Sequence, residues 1–488
     1  MSASGRPDYE VVIGLEVHTQ MRTASKLFSP APVSWGELPN HSVHPICLAL
    51  PGVLPVLNGQ AVELAIRAGL ATHCTVHEQS VFARKNYFYP DLPKGYQISQ
   101  YEEPICTGGW RDVPVERDGE SELKRIRITR IHMEEDAGKS IHDAAVTGGD
   151  ATHVDLNRAG VPLLEIVSEP DMRSPEEAVA YLRVLRSVVR YIDVSDGDME
   201  KGNFRCDANV SLRRHGAEEF GTRTELKNLN SFRFIEEAIN AEVERQAELL
   251  DDGGRVEQAT MAYDPGRRRT RVLRFKENAD DYRYFPDPDL VPLVLDTSHV
   301  ERVRGTLPEL ADARANRFQR DFGLSDHEAV VLTAGRSLAD FFEAVVEAGA
   351  GGTAAASWIL RDVQRALKDR DLEIEASALR PKALADLIAM VEDGRTTARS
   401  ARGLIAELVE AGGDPGALVA ERGLEAVSDT GTLGRVVDEV IAAHPDDVER
   451  LRGGEQKVLN FLMGQVMKRT EGKADPGAVR QILAERLG

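Results

Sequence analysis

One stretch, Arg-Ile-Arg-Ile-Thr-Arg-Ile-His-Met-Glu-Glu-Asp-Ala-Gly-Lys-Ser from Arg125 to Ser140, constrains this chain more than any other. Ile126 and Ile128 alternate with Arg127 and Thr129, the period-2 pattern of a half-buried strand. Glu134, Glu135 and Asp136 then arrive together, followed by Gly138, which allows a tight backbone turn. Three adjacent carboxylates repel one another, and a buried site would need a cation to neutralise them. Hard oxygen clusters suit Mg²⁺, above all beside a phosphorylated substrate. A triplet of this kind on its own is more often a solvated loop. The ending Ala-Gly-Lys-Ser is not a phosphate-binding P-loop, because Met133 stands where the first glycine of that motif belongs.

The chain around this stretch has 488 residues, 42% apolar and 29% charged, the profile of a soluble globular protein of about two to four domains. The amino terminus lacks the apolar core of a secretory leader, and no apolar run approaches the ~18 residues of a membrane span. Cys47, Cys74, Cys106 and Cys206 are dispersed, which fits a reducing cytoplasm rather than a disulfide framework. A net charge of −20 excludes an indiscriminately basic nucleic-acid coat and leaves room for a local basic patch.

Tyr9–His18 reads as a strand that puts Glu16 and His18 on one face and Leu15 and Val17 on the other. A carboxylate and an imidazole so placed can ligate a metal, or simply face solvent. Residues 29–60 are proline-rich and loop-like. Asn86–Gln100, preceded by Arg84 and Lys85, reads as a polar-aromatic loop suited to stacking on a base or to lid packing. Glu165 sits in the apolar run Leu163–Val167, where a carboxylate is costly unless paired or metal-bound. Ser174, Pro175 and Glu177 predict a helix start with a capping box. Phe204–Arg213 alternates cleanly: Arg205, Asp207, Asn209 and Ser211 share one face and could hold phosphates and a metal, and Arg223, Glu225 and Lys227 repeat the device. Ser231–Leu250 is an amphipathic helix stopped by Gly253, and Asp280–Pro286 forms another acidic-aromatic cluster.

After Asp296 the pattern is helical, with Gly412-Gly413-Asp414-Pro415 predicting a linker. The last segment carries seven basic residues against four acidic between Arg452 and Gly488, a hint of a phosphate-bearing partner. The expected domains are residues 1–296, 297–411 and 412–488.

Six strings occur in order: Gly14-Leu-Glu-Val-His18, Lys85-Asn-Tyr-Phe-Tyr-Pro-Asp91, His132-Met-Glu-Glu-Asp-Ala-Gly-Lys139, Glu165-Ile-Val-Ser-Glu-Pro170, Arg205-Cys-Asp-Ala-Asn209 and Glu225-Leu-Lys-Asn-Leu-Asn-Ser231. With them the chain resembles the GatB family, found in the bacterial GatCAB amidotransferase, from about Tyr9 to its end. The resemblance implies an α+β fold: an antiparallel-sheet cradle like the catalytic fold of glutamine synthetase, then a helical domain and a small YqeY-like tail that contacts tRNA. It implies phosphorylation of the side-chain carboxylate of Glu-tRNA(Gln) or Asp-tRNA(Asn) by ATP, then attack by ammonia from an amidase partner (GatA), in a heterotrimer with a small third protein (GatC). His18, Glu135 and Glu165 match the family's Mg²⁺ ligands. Glu16 and Asp207 match acidic residues near the nucleotide or a second metal position, and Lys85 a channel-mouth lysine. Arg205, Asn209 and Lys227 are expected to contact the nucleotide, and Lys468, Arg469 and Lys473 the tRNA. Many members carry four cysteines as a zinc site; here Ser29, Ala31, His44 and Cys47 stand there, and two potential ligands cannot close a structural zinc site, so no zinc is expected. A free-standing ligase for a small carboxylate would not need the helical tail. A non-catalytic tRNA scaffold would favour cations where this chain has carboxylates.

Overall fold

The computed structural model describes residues 8–487 apart from 118, 143–148, 150, 276–281, 427–429, 453, 454, 456, 471 and 472. Asp280 and Asp281 of the expected acidic-aromatic cluster therefore lie outside the described residues. The chain divides into two compact units, Met1–Leu310 and Ala311–Gly488.

The first unit is built on a nine-stranded sheet. Across the sheet its strands are Arg269–Phe275, Ala259–Asp264, Thr224–Leu229, Phe204–Arg214, Tyr9–Gln20, Pro162–Ser168, Glu120–Glu135, Cys106–Arg117 and Thr75–Val76. All neighbours are antiparallel except Thr224–Leu229 and Ala259–Asp264, so the sheet is mixed rather than purely antiparallel. One face is apolar because each long strand alternates. Val11, Ile13, Leu15 and Val17 meet Leu164 and Ile166 on one side and Phe204, Cys206, Ala208 and Val210 on the other, all buried. Helices Gly59–Ala71, Pro175–Tyr191 and Phe232–Asp251 cover this face.

Local chemistry sets the helix ends. Ser174 Oγ accepts from Glu177 N at 3.2 Å and Pro175 takes the first helical position. The predicted capping box does not close. Glu177 instead accepts from Arg173 N and from Lys124, both at 2.6 Å, because a neighbouring ammonium outcompetes the cap amide. Gly253, at φ +77, ends helix Phe232–Asp251 as expected. Asn86–Gln100 is not all loop: Ala83–Asn86 pairs with Tyr96–Ser99, and Phe285–Pro286 adds to the edge.

Both expected domain boundaries move. Helix Thr297–Gly305 packs Val303 into the first core, so that unit extends to Leu310. At Gly412 and Gly413 the backbone enters the left-handed region, φ +70 and +117, but this is a turn. Asp414 accepts from Ala417 N and caps helix Pro415–Glu421, whose Val419 is buried in the same core as Leu384 and Leu404. A separate core of Leu433, Val437, Leu462, Val466 and Leu483 follows. Among the described residues no helix is long and apolar enough to cross a membrane.

Candidate active site and metal centre

The polar face of the sheet is assembled by register. Directly paired residues share a face. His132 pairs with Glu165, Glu165 with His18, and His18 with Arg205. One step along, Glu16 pairs with Asp207, and Asn209 with Glu225. The sheet therefore carries a continuous row of ionisable side chains on the face opposite the helices.

The acidic triplet splits across the two faces. Ile126 and Ile128 are core residues at even positions, but further along strand Glu120–Glu135 the core residues are Ile131 and Met133. The pattern changes parity where the pairing with Pro162–Ser168 shifts by one residue, between Val167 and Ser168. Beyond that irregularity His132 and Glu134 face the polar side. His18, Glu134 and Glu165 bring ligand atoms within 4.8 Å of one another. His18 Nε2 lies 3.4 Å from Glu165 Oε2 and 3.8 Å from Glu134 Oε1. The expected ligand Glu135 is not in this group, because it follows Met133 to the other face. There it accepts from Ile98 N at 3.0 Å and pairs with the Lys94 ammonium.

Asp136, just past the strand, accepts from Gln20 Nε2 and Arg205 Nη2, both at 2.8 Å. Gly138 has no left-handed backbone. It is glycine because a Cβ would meet Asp155 O and Leu156 Cδ2 at 2.9 Å. A second carboxylate set, Glu16, Asp207 and Glu225, lies within the same 4.8 Å span. Here a cation is built in: Lys227 Nζ is 2.5 Å from Asp207 Oδ2 and 3.3 Å from Glu225 Oε1. Asn209 Nδ2 donates to Glu16 Oε1 at 2.9 Å. A cleft of about 840 Å³ is lined by His18, Glu134, Asp136, Arg205, Asp207 and Lys227 and bordered by Trp35, Lys85, Tyr87, Arg158 and Lys201.

Burial and charge act together on these groups. Burial opposes charging His18, but Glu165, Glu134 and Asp207 outweigh it and raise the imidazole to about 9. Burial pushes Glu165 up, yet His132 and His18 hold its carboxyl well below the usual range. Burial also opposes charging Lys85, but Glu134, Tyr284 and Glu165 raise its ammonium above the ordinary lysine value. It likewise works against the Lys227 ammonium, and Asp207 and Glu225 raise it. Two carboxylates and one imidazole are a donor set that suits Mg²⁺ or Mn²⁺. A six-coordinate cation with bonds of about 2.1 Å sets neighbouring ligands about 3 Å apart. The observed 3.4 and 3.8 Å need only a small contraction.

Cys47 is in a different setting. Its Sγ lies 3.6 Å from the buried Lys26 ammonium and 3.8 Å from Ser29 Oγ. His44 Nδ1 accepts from Ile46 N at 3.3 Å. A cation and a hydroxyl beside the thiol do not fit a thiolate-rich zinc site.

Comparison with known proteins gives the family. Residues 11–301 match the GatB/GatE catalytic domain and residues 340–487 the GatB domain. The chain belongs to the GatB family. This GatB-family chain is 54% identical over 480 residues to the B component of the aspartyl/glutamyl-tRNA(Asn/Gln) amidotransferase of Nitratidesulfovibrio vulgaris strain DP4, covering 98% of this chain and 99% of that one. It is 53% identical to the protein of the same name from Solidesulfovibrio magneticus and 52% to that from Geobacter sulfurreducens, over the same shares of both chains.

In the second unit of this GatB-family chain, Lys468 is exposed at the end of helix Lys457–Arg469, Arg469 pairs with Glu439 at 3.0 Å, and Lys473 follows the helix. Sequence reasoning missed Lys94, Gln20 and His132. Of these, Gln20 and His132 had a local signal, their two-residue spacings from His18 and from Glu134.

Proposed function

We propose that this chain is the part of a tRNA-dependent amidotransferase that phosphorylates the side-chain carboxylate of Glu-tRNA(Gln), Asp-tRNA(Asn) or both with ATP, and amidates the product with ammonia. The observation that carries this is the meeting of His18, Glu134 and Glu165, the first two of which line a cleft also lined by lysine and arginine. The names of its relatives supply the substrate class.

A carboxylate resists attack by ammonia because its leaving group would be oxide; phosphorylation provides a better one. Bringing a carboxylate to ATP sets two anions against each other. His18, Glu134 and Glu165 would hold Mg²⁺ there, which would supply the screening of that charge. The chain's own cations do the rest. Arg205, fixed by Asp136, and Lys227, between Asp207 and Glu225, present N–H groups to phosphate oxygens. Asn209 orients Glu16. When ammonia attacks the acyl carbon, the bond to phosphate breaks, and Glu16 or Asp207 can take the proton the nitrogen sheds. Lys85, beside Tyr87 and Tyr282, is the lysine this reading assigns to the entry of ammonia from the amidase partner, GatA. The reading includes the small third protein, GatC, a cradle of the glutamine synthetase kind, a tRNA-contacting tail and a cytoplasmic setting without structural zinc.

The test uses the reconstituted complex. Glu165→Gln should lose ATP-dependent amidation of misacylated tRNA and keep glutamine hydrolysis. Full amidation by that variant would overturn the reading.

A further inference from the structure

Beside the three candidate ligands sits a histidine that the chemistry above does not use. His132 is 3% exposed and lies next to Glu165 in register. Its Nε2 is 3.4 Å from Glu165 Oε2 and 3.9 Å from Glu134 Oε2. On the other side of the ring, Arg130 Nε donates to Nδ1 at 3.4 Å. A guanidinium can only donate, so Nδ1 is the acceptor and the ring hydrogen rests on Nε2, the nitrogen beside both carboxylates. Ser99 Oγ also donates to Glu134 Oε2, at 3.2 Å, which leaves Oε1 turned towards His18.

We infer that His132, locked in one tautomer by Arg130, is a positioning residue that sets the orientation of Glu134 and Glu165 for cation binding. The inference rests on the metal reading above. His132 touches neither substrate nor cation; with Nε2 beside Oε2 of each carboxylate, it fixes the side from which Glu134 and Glu165 meet His18 before the ion arrives. Orientation of this kind governs metal affinity, and its loss costs about 10–100-fold.

The test titrates Mn²⁺ into the intact complex and follows the free ion by electron paramagnetic resonance. His132→Leu should weaken Mn²⁺ binding by at least about tenfold. His132→Gln, whose amide reaches the Nε2 position, should restore most of the affinity. Arg130→Met, which leaves the buried ring but removes its Nδ1 donor together with the Arg130–Glu165 ion pair at 4.0 Å, should fall between. The Mg²⁺ concentration for half-maximal amidation should rise in the same order, with KM for charged tRNA unchanged. Parent-like Mn²⁺ binding by His132→Leu, alongside loss in Glu165→Gln, overturns the positioning role and leaves the metal site standing. Should His132→Leu fail to fold, parent-like binding by Arg130→Met overturns the role. No Mn²⁺ binding by the parent complex overturns both.

Discussion

At the scale of single residues, the account turns on which side of a strand a carboxylate faces. Alternation along Phe204–Arg213 was legible, and Arg205, Asp207 and Asn209 share the face it implies. The same rule fails across Arg125–Glu135 because one irregularity moves every later side chain to the opposite face, and nothing in Thr129-Arg130 announces it. Lys94 was not legible as the partner of Glu135 either, since 41 residues separate them. His18 yields a prediction. Its pKa of about 9 lies above the usual 6.5. In the metal-free chain its charged form therefore adds stability fully below pH 6.5, and this is lost as pH rises through 9. A divalent cation needs the neutral ring, so its binding should release a proton near neutral pH and tighten towards pH 9. Calorimetry in two buffers of different ionisation enthalpy reads the proton directly. Binding without proton release between about pH 6.5 and 8 would contradict the assignment of His18.

Among the elements, helix starts were the most legible. Ser174, read as a cap, satisfies an orphan amide, and Ser231, read as the start of its helix, does the same. Domain boundaries were less so, because Gly-Gly-Asp-Pro serves equally as a linker or as a helix stop followed by a cap. Here it is the latter. Helix Pro415–Glu421 places Val419 in the middle core, and Thr396 Oγ1 donates to Leu424 O at 2.8 Å. Truncation after Ala411 should therefore destabilise the helical unit, whereas truncation after Ala426 should leave its melting temperature near that of the parent. Val419→Ala alone should cost roughly 1–3 kcal/mol in urea unfolding. Equal stability of the two truncated chains would show that helix 415–421 is dispensable.

For the whole molecule, the proposed function assigns chemistry and tRNA positioning to different ends of the chain. Lys468 offers an exposed ammonium to phosphate, while Arg469 is tied to Glu439. Lys468→Gln should lower the salt slope of tRNA binding by roughly one unit or slightly less, with a smaller effect for Arg469→Gln. Removing residues beyond Ala426 should raise KM for charged tRNA and leave Mn²⁺ binding by the cradle intact. Filter binding across a salt series checks both, and an unchanged slope would place the tRNA contact elsewhere.

The most direct measurement compares Glu134→Gln with Glu135→Gln in the complete complex, reading ATP-dependent amidation and Mn²⁺ affinity below either variant's unfolding temperature. Glu135→Gln leaves the Lys94 ammonium without its charge partner and should cost stability, roughly 3 kcal/mol, while the folded complex still binds Mn²⁺ and amidates. Glu134→Gln should lose Mn²⁺ affinity and lose amidation. The reverse outcome, an active Glu134→Gln complex and a stable but inactive Glu135→Gln one, would contradict the placement of Glu134 in the metal centre.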